Sequence, residues 1–241
     1  MNHIFSLVAA AGLSIGLLAC GNEHNFVINQ VPASGARVKL LHAIPDGPAV
    51  DVYVNNAKVN GTALAFYTGY PDREYVALTP GPASLKVSTP ASGTVTEQTV
   101  LTANSTFDAD KYYTVAAAGT AAAPVAVVIN DDLSIPDASK AYIRIINLVS
   151  NGPGVDLAIG TVAPLVSNVA YKSASDFVAV APANSSAPLI VQVRSTGTTT
   201  LLGAAITNFT ALAGRKYTIL VRGLVGKTGA QVPTVNSYIT R

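Results

Sequence analysis

The 241-residue chain has one cysteine, no tryptophan and three histidines, and each scarcity removes a class of explanation. A lone cysteine forms no intramolecular disulfide, so a disulfide-stapled framework is excluded. Two of the histidines, His3 and His24, sit near the start. With that single thiol they leave zinc short of the several nitrogen and sulfur ligands it takes. Charged residues make up only 12%, about half the usual quarter. A net charge of +2 provides no field of the kind that gathers nucleic acid. The hydrophobic share of 49% also argues against disorder, which needs low hydrophobicity and high charge.

What is present begins with a leader. Ile4 through Ala19 is almost wholly apolar, too short for a membrane span of about 20 residues but of signal-peptide length. It ends Leu17-Leu18-Ala19-Cys20-Gly21, which resembles the lipobox of bacterial lipoproteins. The resemblance implies cleavage of residues 1–19 and lipid on the Cys20 sulfur. Several acyl chains there would hold the protein stably to a membrane. By resemblance to the sorting of such lipoproteins, Gly21, rather than Asp, at the second mature position points to the outer membrane in a cell that has two. Residues 20–35 are polar and turn-rich and read as a lipidated tether.

Past the tether the chain copies itself. Arg37–Val54 aligns with Tyr142–Ile159, Glu74–Pro80 with Asp176–Pro182, and Lys111–Val115 with Arg215–Ile219; Gly119 and Gly223 follow at the same spacing. A period near 100 residues means tandem domains rather than a solenoid of units about 20–50 residues long. Val50, Val52 and Val54 alternate with Asp51 and Tyr53, as strands do. Turn signals such as Pro45-Asp46-Gly47-Pro48, Asn55-Asn56 and Pro80-Gly81-Pro82 recur about every dozen residues. The reading is all-β: two tandem antiparallel sandwiches of immunoglobulin-like or transthyretin-like form. One spans residues 36–132, a linker 133–140, and a second, degenerate copy 141–241. The first carries nine acids against six bases and the second two against eight. Scattered on strands, the basic residues read as solvated edge charges.

His42-Ala43-Ile44-Pro45-Asp46-Gly47-Pro48-Ala49-Val50-Asp51-Val52-Tyr53, with Tyr75-Val76-Ala77-Leu78 and Tyr113-Thr114-Val115 after it, resembles an uncharacterised bacterial envelope domain family with the signature H-A-S-P-D-A-P-x-V-D-V-Y. That family is a domain of unknown function, often in tandem. The resemblance implies a sandwich fold and supplies no activity.

Candidate chemistry is sparse. Gly12-Leu13-Ser14-Ile15-Gly16 spells a hydrolase nucleophile elbow but lies inside the leader, without the strand–turn–helix context. A hairpin closing at Pro45–Pro48 would set His42 opposite Asp51, and Asn147 opposite Asp156 in the second copy. The pair reads as a structural hydrogen bond, because Asn replaces a neutral His as donor but not as base. Phe66–Tyr75 interleaves aromatics with charge, and Tyr67, Tyr70, Asp72 and Arg73 form a candidate sugar-binding surface. Asp108, Asp110, Asp131 and Asp132 offer oxygens for calcium but lack the Ca-loop pattern and read as solvated turn acids. No catalytic set, cofactor or metal site follows. The expectation is a non-enzymatic envelope lipoprotein, structural, scaffold or adhesin-like, touching the membrane through Cys20 and envelope proteins or glycans elsewhere. A carbohydrate- or cell-wall-binding lipoprotein and an unrecognised hydrolase are the alternatives.

Overall fold

The structure is a computed structural model describing residues 34–241; the expected leader, Cys20 and most of the tether lie outside that range. The first nine strands are β1 (Ala36–His42), β2 (Asp51–Val54), β3 (Ala57–Lys58), β4 (Gly69–Tyr70), β5 (Val76–Leu78), β6 (Gly81–Thr89), β7 (Gln98–Phe107), β8 (Tyr112–Thr120) and β9 (Ala123–Asn130). They build two sheets, β4-β1-β8-β9 with β5 also on β1, and β3-β2-β6-β7. The next nine are β10 (Ala141–Val149), β11 (Val155–Ile159), β12 (Val166–Val169), β13 (Ser173–Ala174), β14 (Val178–Val180), β15 (Leu189–Ser195), β16 (Ile206–Phe209), β17 (Lys216–Gly223) and β18 (Thr234–Ile239). Their sheets run β13-β10-β17-β18, with β14 on β10, and β12-β11-β15-β16. Arg37 faces Tyr112 across one ladder as Tyr142 faces Lys216 across the other.

Period-two alternation explains each core. Val38, Leu40, Val52, Val54, Leu85, Val87 and Val115 point into the first sandwich, and Ile143, Ile145, Leu157, Val191, Val193 and Ile219 into the second. Both are all-β sandwiches, and pairing is antiparallel except for β1 with β8 and β10 with β17. After β1 the chain crosses to β2 and β3 in the other sheet, comes back to pair antiparallel with β1 as β4 and β5, crosses again for β6 and β7, and re-enters on the far side of β1 as β8, parallel to it. Three tyrosines lock corners by accepting the amide N–H five residues upstream: Tyr113 from Asp108 (3.0 Å), Tyr142 from Asp137 (2.7 Å) and Tyr217 from Leu212 (3.0 Å). Asn55 and Asn56, both at positive φ, make the two-residue turn joining β2 to β3.

The sandwiches meet through the far faces of the β1/β8 and β10/β17 sheets. There Leu41, Ala116, Ala118 and Val127 pack with Ile146, Leu148 and Leu220 in a third core. Strands β10 and β17 are therefore buried on both faces along their whole length.

Candidate functional site

That shared face is where the buried charge collects. Lys39, Arg144, Lys216 and Arg222 alternate with core residues on β1, β10 and β17, so they point away from their own sandwich and toward the other. Arg144, only 2% exposed, ion-pairs with Asp131, which is 3% exposed at the end of the first sandwich. It also donates to Thr218 Oγ1 (3.0 Å) and the Asn130 carbonyl (3.3 Å). The other Asp131 oxygen accepts from Tyr75 Oη (2.8 Å) and Thr114 Oγ1 (2.7 Å). Lys216 Nζ donates to the Asp132 carbonyl (2.6 Å) and lies over the Phe177 ring at 4.3 Å. Arg222 donates to the carbonyls of Tyr67 and His42 in the first sandwich.

These contacts shift the titration of the groups that make them. Burial draws Lys39 below the usual lysine range, with Asp72, Asp131 and Glu74 pulling the other way. It draws Lys216 down too, against Asp132. Arg222 falls to about 10 by burial, which no carboxylate counters. For Arg144 burial is outweighed by Asp131 and the neighbouring tyrosines, and the guanidinium rises. Tyr75 is pushed far up by burial and by the Asp131 carboxylate it bonds.

Of the second half's eight basic residues Lys172, Arg215, Lys227 and Arg241 are exposed, but Arg144, Lys216 and Arg222 are not solvated edge charges. Arg144, Lys216 and Arg222 face a second sheet instead of water. Asp131 likewise is no solvated turn acid, and Asp132 closes a turn by accepting from Ser134 N (2.9 Å). Among the described residues no three His, Cys, Asp or Glu side chains converge as a metal would require, and Asp108 and Asp110 stand apart from Asp131 and Asp132. The proposed pairing of His42 with Asp51 also fails. Strands β1 and β2 belong to different sheets, so Pro45–Pro48 is a crossing between layers and not a hairpin.

His42 instead bonds the main chain twice. Its Nε2 lies 2.8 Å from the Pro48 carbonyl, and the Ile44 amide donates to Nδ1 at 3.3 Å. A carbonyl only accepts and an amide only donates, so the ring is the neutral Nε2–H tautomer. Burial holds its pKa below the ordinary histidine value, with the nearby Arg222 charge adding to that. Asn147 reproduces the acceptor role, its Oδ1 accepting from Val149 N two residues on (3.0 Å), while its Nδ2 donates to a different carbonyl, that of Val169 (3.0 Å). Asp51 pairs with Lys58 (2.9 Å) and accepts from Asn60 (3.2 Å), while Asp156 accepts from the amides of Asn168 (2.8 Å) and Gly197 (3.0 Å).

The aromatic segment divides as well. Tyr67 joins the sandwiches: its Oη donates to the Ala230 carbonyl (2.7 Å), lies 3.0 Å from Thr234 Oγ1, and its ring sits under Arg222 at 4.8 Å. Tyr70 is paired in β4 against Leu40 and packs on the first core. Of the four candidates Asp72 and Arg73 stay exposed, lining an open cleft of about 450 Å³ together with Ile206, Phe209 and Tyr238.

A family model described as a domain of unknown function, DUF4397, matches residues 36–158. The chain belongs to the DUF4397 family. The DUF4397 match takes in the first sandwich and runs on through β10 into β11, so Asp131 and Arg144, the two halves of the buried ion pair, both lie inside it. Lys216 and Arg222 lie beyond its end. No curated protein matches the sequence. Among solved structures, a candidate cell adhesion protein from Bacteroides fragilis aligns at 12% identity and a TM-score of 0.23, over 86% of this chain and 98% of that one.

Proposed function

We propose that this DUF4397 protein is a lipid-anchored, non-catalytic envelope module, a scaffold or adhesin-like surface protein whose two sandwiches act as one stiff body. The carrying observation is where the buried charge goes. Asp131, Arg144, Lys216 and Arg222 hold one sandwich to the other, and Lys39 of the first lies 5.3 Å from the Tyr238 ring of the second. A body built that way presents loops and sheet faces at fixed separations, which suits contact. His42 supports the non-catalytic part, since both ring nitrogens are committed to main-chain partners and neither is left to take a substrate proton. The anchor part rests on the Leu17–Cys20 sequence, and outer-membrane placement on Gly21.

The test has two arms. Cells fed an alkyne fatty acid should label the wild-type chain and leave Cys20→Ser unlabelled and released from membranes; equal labelling of Cys20→Ser would remove the anchor. His42→Asn, copying Asn147, should leave adhesion or partner capture by whole cells unchanged. A hydrolytic activity of the purified protein that this substitution abolishes would overturn the non-catalytic reading.

A further inference from the structure

Lys39 and Arg222 line one small cavity, of about 120 Å³, between the two sandwiches. Tyr67, Asn236 and Tyr238 also border it. Lys39 and Arg222 are each 1% exposed. Two of the three Lys39 ammonium protons are taken by the carbonyls of Pro71 (2.8 Å) and Asp72 (3.1 Å). Among the described residues the third meets no hydrogen-bond acceptor, only the faces of the Tyr238 and Tyr75 rings at 5.3 and 5.7 Å. Arg222 makes no ion pair among the described residues, and its buried Nε donates to nothing. The Asn236 amide is also unpartnered at Oδ1, so its two ends are free to exchange places and offer an N–H. Asp72 touches this cluster through its main-chain carbonyl, and the residue is exposed.

An isolated cation in a low-dielectric site is costly unless a counter-charge neutralises it. Elsewhere on the same face the protein supplies one: Asp131 meets Arg144 and Asp132 approaches Lys216. At Arg222 it supplies none, and leaves a cavity and an unused N–H instead. A guanidinium titrating near 10 stays charged at neutral pH, so the need for a counter-ion persists under growth conditions.

We infer that the cavity between Lys39 and Arg222 binds a small monovalent anion, of the size of chloride, nitrate or formate, which clips the two sandwiches together. The volume admits an ion with a few waters and no sugar or nucleotide. The ion takes donors from β1 of one sandwich and from β17 and β18 of the other, so its loss loosens the joint. This is independent of the envelope function proposed above, since a clip of this kind serves any use of the rigid body.

The test uses full-length protein in detergent, with sodium gluconate replaced stepwise by sodium chloride at constant ionic strength. Gluconate is too large for the cavity. Binding raises the unfolding temperature saturably, by about 3–6 °C once chloride exceeds its Kd tenfold, and broadens the chloride-35 resonance over the same range. Asn236→Asp places a carboxylate in the cavity and removes both responses. An unfolding temperature flat in chloride, no broadening, or a response shared by Asn236→Asp leaves the cavity holding water alone and overturns the proposal. If that variant fails to fold, the two wild-type readouts decide alone.

Discussion

Replacing Asp131 by Asn isolates the strongest bond across the joint. The substitution keeps the side-chain volume and one acceptor oxygen but removes the charge. Arg144 then keeps Thr218 and the Asn130 carbonyl but stands as an uncompensated buried cation, and the hydroxyls of Tyr75 and Thr114 now compete with an N–H for a single acceptor. Breaking a buried pair from one side costs about 3–5 kcal/mol. For a body of this size that corresponds to a fall in unfolding temperature of about 6–20 °C. Asp132→Asn is the control. Its side chain is 74% exposed and its carboxylate lies 3.6 Å from Lys216, so its loss should cost under about 1 kcal/mol. Urea denaturation of both variants against wild type measures the two values. Equal costs, or an Asp131→Asn protein within about 1 kcal/mol of wild type, would refute the claim that the buried pair holds the sandwiches together.

Three further outcomes are expected. His42 is neutral in the fold because burial lowers its pKa, while the unfolded chain takes up its proton near 6.5. Its contribution to stability is therefore complete above that pH and is lost as pH falls below it, by up to about 1.4 kcal/mol per unit; His42→Asn should flatten the denaturation midpoint between pH 6.5 and 5, and an unchanged slope would contradict a ring held neutral by the fold. Tyr67→Phe should cost about 1–2 kcal/mol through its lost bonds to Ala230 and Thr234 and leave glycan-array binding where it was; loss of glycan binding without loss of stability would restore the sugar-binding surface. Gly223→Ala should destabilise by about 1–3 kcal/mol, since φ is +121° and the added carbon would meet the main chain of Val232 and Pro233; a neutral thermal shift would contradict it.

The strands and their turns were legible in the sequence because alternation is a local property. Val50, Val52 and Val54 name their own inward face, and Asn55-Asn56 names the turn type. The destination of Pro45–Pro48 was not. A turn between two strands reads the same whether they pair or pass to opposite layers, and so the His42–Asp51 pairing was misplaced. The charged joint was missed for a related reason: an Arg or Lys on a strand looks alike whether its face meets water or another sheet. One signal was available. Tyr142-Ile143-Arg144-Ile145-Ile146-Asn147-Leu148-Val149 and the run Val115–Ala118 are apolar on both faces apart from isolated polar residues. Such runs belong to strands covered on both sides. Read that way, Arg144 becomes a buried cation in need of an acid, and Asp131, at the end of the first sandwich, is the acid that answers it.

Scanning calorimetry of the full-length chain tests most directly whether the two sandwiches make one body. A shared third core and a buried ion pair across the joint predict a single transition with equal calorimetric and van't Hoff enthalpies. Two separated transitions, each with the enthalpy of about half the described residues, would contradict it.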